Sequence, residues 1–124
     1  MPDLLKITYF VHGTTTDNEQ HLSSGWKDVE LSELGIKQSI ELKELTKDKK
    51  FDVIFCSDLK RAVRSASLTW GNSIKTIQDK RLRECNYGDL NGASSKQVDA
   101  IRSQCVDKPF HNGESYKDVE KRIH

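Results

Sequence analysis

The apolar positions of the chain fall into short runs separated by polar turns, and their period changes from one run to the next. Leu4 to Val11 is apolar and β-branched apart from Lys6 and Thr8, which predicts a largely buried strand. Leu31, Leu34, Gln38, Leu42 and Leu45 then recur at helical spacing around Ser32, a good N-cap, and the lysines from Lys47 to Lys50 close that helix. Phe51 to Cys56 reads as a second apolar strand. Ser57 is placed to cap the next helix, whose core stripe is Leu59, Ala62, Val63, Ala66 and Trp70 and which Gly71-Asn72 ends. Ile74 to Gln78 reads as a third, shorter strand.

Past Asn91-Gly92, Ser94 with Gln97 forms a capping box, and the helix behind it puts Val98, Ile101 and Cys105 on one face. Pro109 and Gly113 mark a loop. Ser115 with Asp118 forms a second box, opening a helix that presents Tyr116, Val119 and Ile123. The alternation of strands and helices predicts one α/β domain over residues 1–124, three-layered, with a mainly parallel sheet flanked by helices. Ligands of such sheets gather outside the carboxyl ends of the strands, where two polar clusters fall: His12 to Asn18, and Ser57 to Arg61. The last helix has run barely two turns at His124, so the chain is expected to end inside an element rather than after one.

Bulk composition narrows the function classes. A chain of 124 residues fits one domain with a modest core. Its 20 Lys and Arg are interleaved with 19 Asp and Glu for a net charge of +1, which argues against nucleic-acid and membrane partners. No stretch approaches the roughly 20 apolar residues of a membrane span, and Met-Pro-Asp-Leu-Leu-Lys lacks the basic start and apolar core of a secretory signal. Cys56, Cys85 and Cys105 show no CxxC spacing, so reduced structural thiols and a cytoplasmic location are expected.

The chemistry lies in the two clusters. His12 follows the first strand directly, and Gly13 lets backbone amides approach a ligand closely. Thr14, Thr15, Thr16 and Asn18 add donors nearby. Arg61 sits in the first turn of a helix, where free amides and the helix dipole favour an anion. Taken singly, such a histidine is more often structural and such an arginine more often solvated. Together they describe a phosphate pocket containing an imidazole.

Val11-His12-Gly13-Thr14-Thr15 followed by Asn18 resembles the opening Arg-His-Gly-Glu-Thr…Asn signature of the histidine phosphatase (phosphoglycerate-mutase-like) superfamily. The likeness continues through Ser24-Gly25-Trp26 with Asp28, Leu31-Ser32 and Gly35, then Ser57-Asp58-Leu59-Lys60-Arg61-Ala62. Arg81-Leu82-Arg83-Glu84 with Tyr87-Gly88 and Gly92, and finally Gly113-Glu114-Ser115, complete it. The resemblance implies hydrolysis of small phosphomonoesters through a phosphohistidine on His12, with no metal or other cofactor. It further implies that Arg61, Asn18, Thr15 and the Gly13 backbone hold the phosphoryl group, that Glu84 is the general acid and base, and that Ser24, Gly25 and Tyr87 contact substrate.

The sequence departs from that pattern at three places. Val11 stands where the family carries a phosphate-binding Arg; losing a hydrogen bond to a charged group costs about 1.5–3 kcal/mol, or roughly ten- to a hundredfold, unless Arg64, Arg83 or a residue beyond this chain substitutes. Thr14 replaces a Glu. The family's second histidine lies on a strand downstream of the Gly-Glu-Ser motif and beyond this chain, and neither His111 nor His124 occupies its position; the resemblance therefore implies a domain incomplete at its C-terminus, with a sheet edge for a second copy of the chain to cover. The short stretch from Glu84 to Gly113 favours phosphatase over mutase, closest to small broad-specificity, alpha-ribazole phosphatase-like members. The alternative is a relative that binds phosphate ligands or proteins without turnover. A cysteine phosphatase loop needs five residues between Cys and Arg, whereas Cys56 and Arg61 enclose four. A metallohydrolase is disfavoured by the spacing of His12, His21, His111 and His124.

Overall fold

A computed structural model describes residues 4–124. Its elements run α1 (Thr16–Glu19), β1 (Leu22–Ser23), α2 (Glu33–Leu45), β2 (Ile54–Cys56), α3 (Lys60–Trp70), β3 (Thr76–Gln78), β4 (Ala93–Ser94), α4 (Ser95–Arg102) and α5 (Tyr116–Ile123), with 3-10 turns at Lys80–Leu82, Gly88–Leu90 and Ser103–Cys105. The class is mixed α/β. Strand β2 pairs parallel with β3, Ile54 facing Thr76 and Cys56 facing Gln78, while β1 and β4 form a short antiparallel pair.

The expected first strand needs correction. Leu4 to Val11 joins no ladder, and Leu4, Leu5, Ile7, Tyr9 and Val11 are each 75–88% exposed. An apolar β-branched run supplies strand propensity, but a strand exists only where a neighbour satisfies its backbone groups. Among the described residues none lies alongside. The segment is tethered at its end by Phe10, whose ring meets Phe51 at 5.9 Å and Trp70 at 5.4 Å edge-on.

The helix starts follow local chemistry. Ser32 accepts the Gly35 amide at 3.2 Å, and the capping boxes Ser94–Gln97 and Ser115–Asp118 both form. Helix α3 differs from expectation: its N-cap is Leu59, with no side-chain cap of its own. Asp28 takes that part from a distant loop, its Oδ1 accepting the Lys60 amide at 2.8 Å. Ser57 instead accepts the Leu59 amide at 3.4 Å.

Two packing centres result. Helices α2 and α3 lie against each other, tied by the Thr69 hydroxyl donating to the Ser39 carbonyl at 2.9 Å. The second centre gathers Cys85, Tyr87, Val98, Cys105 and Phe110, with Tyr87 and Phe110 in edge contact at 5.1 Å. Burial there pushes the Cys85 thiol up to about 12, with the Glu114 charge adding to the shift, so this cysteine is an inert core residue.

Candidate active site

The turn carrying His12 is fixed from below by helix α2. A β-carbon on Gly13 would lie 2.5 Å from the Gly35 carbonyl oxygen, and one on Gly35 would lie 2.0 Å from that of Thr14. The contact is backbone on backbone, which only two glycines allow. From the side, the Gly13 amide donates to Ser65 Oγ at 3.0 Å, and that hydroxyl donates to the Arg61 carbonyl at 2.6 Å. Ser65 thus joins the histidine turn to the helix bearing the arginine. It escaped the sequence reading, although its spacing of one helical turn from Arg61 was a usable signal.

His12 is exposed, and its Nδ1 lies 2.6 Å from the Gly13 carbonyl oxygen. A carbonyl can only accept, so Nδ1 carries the proton and a neutral ring leaves its lone pair on Nε2. Thr15 has no exposed surface and, with Asn18, forms the capping box of α1: each side chain accepts the other's amide at 3.0 Å. These two residues shape the turn beyond His12, and Asn18 keeps its exposed amide nitrogen.

Arg61 is 4% exposed. Its guanidinium donates to the Gly25 carbonyl at 2.6 Å, the Lys27 carbonyl at 3.0 Å and Glu84 Oε1 at 3.2 Å. The structure therefore brings Arg61, Gly25 and Glu84 into direct contact, with the Glu84 side chain about half exposed (45%). Gly25 has φ +58°, and a β-carbon there would meet Asn91 Oδ1 at 2.0 Å and the Tyr87 ring at 2.8 Å. Tyr87 is buried, supporting the Gly25 turn from within the core rather than facing out. Ser24 is likewise buried, donating to Asp17 Oδ2 at 2.9 Å, and Asp17 also pairs with Lys27 at 3.4 Å. Both residues, expected from the sequence to contact substrate, lie buried beside the Gly25 turn.

Of the two cations suggested as stand-ins for the missing Arg at Val11, Arg83 is committed to another partner. Arg83 is held in two hydrogen bonds of 2.6 Å by Asp58, whose carboxyl the guanidinium keeps below the usual range, and it lies over Trp26 at 4.8 Å. Arg64 is exposed and lines a shallow cavity with Glu30, Lys60 and Gln78.

The model of the histidine phosphatase superfamily (branch 1) matches residues 9–124. The chain belongs to this superfamily. A phosphoglycerate mutase of Schizosaccharomyces pombe is 35% identical over 98% of this chain and 64% of its own length; a 2,3-bisphosphoglycerate-dependent phosphoglycerate mutase of Allorhizobium ampelinum is 32% identical over 90% and 60%. Among solved structures, a mycobacterial glucosyl-3-phosphoglycerate phosphatase in complex with VO3 superposes with TM-score 0.75 at 34% identity, over 90% of this chain and 59% of that one. The alpha-ribazole phosphatase of Shigella flexneri does so with TM-score 0.78 at 27% identity, over 90% and 60%. The chain thus spans about 60% of the length of these superfamily members. No helix among the described residues is long and apolar enough to cross a membrane.

Proposed function

We propose that this superfamily member hydrolyses small phosphomonoesters through a phosphohistidine on His12. The observation that carries the reading is the bond from His12 Nδ1 to the Gly13 carbonyl, which presents Nε2 with its lone pair at the surface. In the first step Nε2 forms a bond to phosphorus as the ester P–O bond breaks, and the Glu84 carboxyl gives its proton to the departing alkoxide. In the second, Glu84 takes a proton from water as the water oxygen attacks phosphorus; the N–P bond breaks and His12 is restored. Arg61, clamped beside Glu84, places fixed positive charge where the phosphoryl oxygens gather charge, with the Asn18 amide as a second donor. No step calls on a metal ion.

Phosphatase rather than mutase chemistry follows from the short segment between Glu84 and Gly113, and the likeness to alpha-ribazole phosphatase supports a small phosphorylated substrate. The same reading takes β2 and β3 as part of a larger, mainly parallel sheet between helix layers. A second reading, a phosphate-binding relative without turnover, is favoured by one observation: Val11 supplies no cation beside His12, and Arg83 is committed to Asp58. Incubation with a phosphorylated donor and rapid quenching is expected to trap an acid-labile, base-stable phosphoryl adduct that His12→Asn lacks. A folded wild-type chain that binds inorganic phosphate but forms no adduct would support the binding module instead.

A further inference from the structure

The Gly113-Glu114-Ser115 segment takes no part in the chemistry above, yet it reaches the peptide that carries Glu84. Glu114 Oε1 accepts the Asn86 amide at 3.0 Å, and the Glu114 amide donates to the Asn86 carbonyl at 2.8 Å. The same carboxylate pairs with Arg122 of α5 at 2.8 Å, and both side chains are less than a fifth exposed (17% and 18%). Arg122 donates a second time to Glu114, through Nη2 to Oε1 at 3.3 Å, and also to main chain: the carbonyls of Arg81, of Arg83 at 2.6 Å and of Glu84 at 2.9 Å. Trp26 Nε1 donates to that same Glu84 carbonyl at 2.9 Å. Past the 3-10 turn at Lys80–Leu82, this stretch has no ladder or helix to hold it. The planar fork of Arg122 fixes it in their place.

We propose that the Glu114–Arg122 pair is the positioning device for the Glu84 carboxyl, holding its main chain so that the side chain meets Arg61. Arg122 acts through Glu84 and touches no reacting atom; the proposal rests on the reading of Glu84 as proton donor. A general acid matters most where the leaving group is a poor one, so loss of its alignment is selective between esters.

The test compares kcat/KM, which covers the steps through phosphoryl transfer, for glycerol phosphate and p-nitrophenyl phosphate. Nitrophenolate leaves without a proton and the glycerol alkoxide does not. Since general acid catalysis is worth about a hundredfold or more, Arg122→Met and Glu114→Gln are expected to lose at least about tenfold more on the alkyl ester than on the aryl one. Arg122→Lys, which keeps the charge without the fork, falls between. Arg122→Met added to Glu84→Gln costs little further. Equal losses on both esters, or a fully additive double variant, overturn the proposal.

If the wild-type chain turns over neither ester, the acid reading of Glu84 fails, and amide spectra decide the positioning separately. Arg122→Lys, the variant most able to fold, is expected to shift the Trp26 indole and Glu84 amide signals while those of Val98 and Phe110 stay in place. Unmoved Trp26 and Glu84 signals overturn the positioning role as well.

Discussion

At Gly13 and Gly35 the chain has no room for a β-carbon, and the obstacle on each side is backbone. Flexible side chains could yield; two peptide units pressed together cannot do so without moving α2 or the histidine turn. Gly13→Ala is therefore expected to lower stability by about 1–3 kcal/mol, the range for an overpacked interior site. The urea midpoint reads this directly, and an unchanged midpoint would mean that the turn is looser than its contacts indicate. Ser65 and Arg61 show the complementary principle. Arg61 was recognisable and Ser65, one turn on, was not, because the partner of each, the Gly25 carbonyl or the Gly13 amide, comes from a distant part of the chain.

Elements are joined here by polar contacts as much as by apolar ones. The Asp58–Arg83 pair links the approach to α3 with the segment following β3. Arg83, by hydrogen bond and charge, holds the Asp58 carboxyl below its ordinary value near 3.9. A lowered folded-state value means that the pair contributes in full above about pH 4 and is lost as pH falls through the folded value. Asp58→Asn should accordingly reduce the thermal midpoint at pH 7, and the gap from wild type should close as the solution is acidified below pH 4. A gap independent of pH would show that Asp58 acts by shape rather than by charge. Caps tell which elements a sequence reveals. Ser32, Ser94 with Gln97 and Ser115 with Asp118 lie within three residues of the amides they serve and were legible. The cap of α3 is Asp28, which no local pattern connects to Lys60.

For the whole molecule, the dominant feature is the segment from Leu4 to Val11. Its alternate residues Leu5, Ile7, Tyr9 and Val11 form an apolar row that nothing among the described residues covers. Its composition led to the expectation of a buried strand, which the structure does not show; whether a ladder forms depends on a neighbour, and that is not a property of the segment itself. Such a row favours self-association. Light scattering on the 124-residue chain is expected to show mass rising with concentration, and Ile7→Lys to suppress the rise. A monodisperse monomer would exclude pairing of two copies across this face. The candidate site divides the same way. His12, Arg61 and Glu84 were legible as members of ordered motifs, whereas Arg122 and Trp26, which hold Glu84 by its carbonyl, form a contact that only the folded chain creates.

Arg61 carries one more consequence. A long side chain normally surrenders roughly 2 kcal/mol of rotamer entropy when it becomes fixed on a ligand. Here the guanidinium is already immobilised by two carbonyls in the bare protein, so that loss was incurred when the chain folded. Under the proposed function, an arriving anion would meet an ordered charge with no disorder to remove. On that reading, anion affinity at Arg61 is linked to folding stability, and substitutions at Lys27 that loosen the loop should weaken anion binding although its carbonyl serves only the guanidinium.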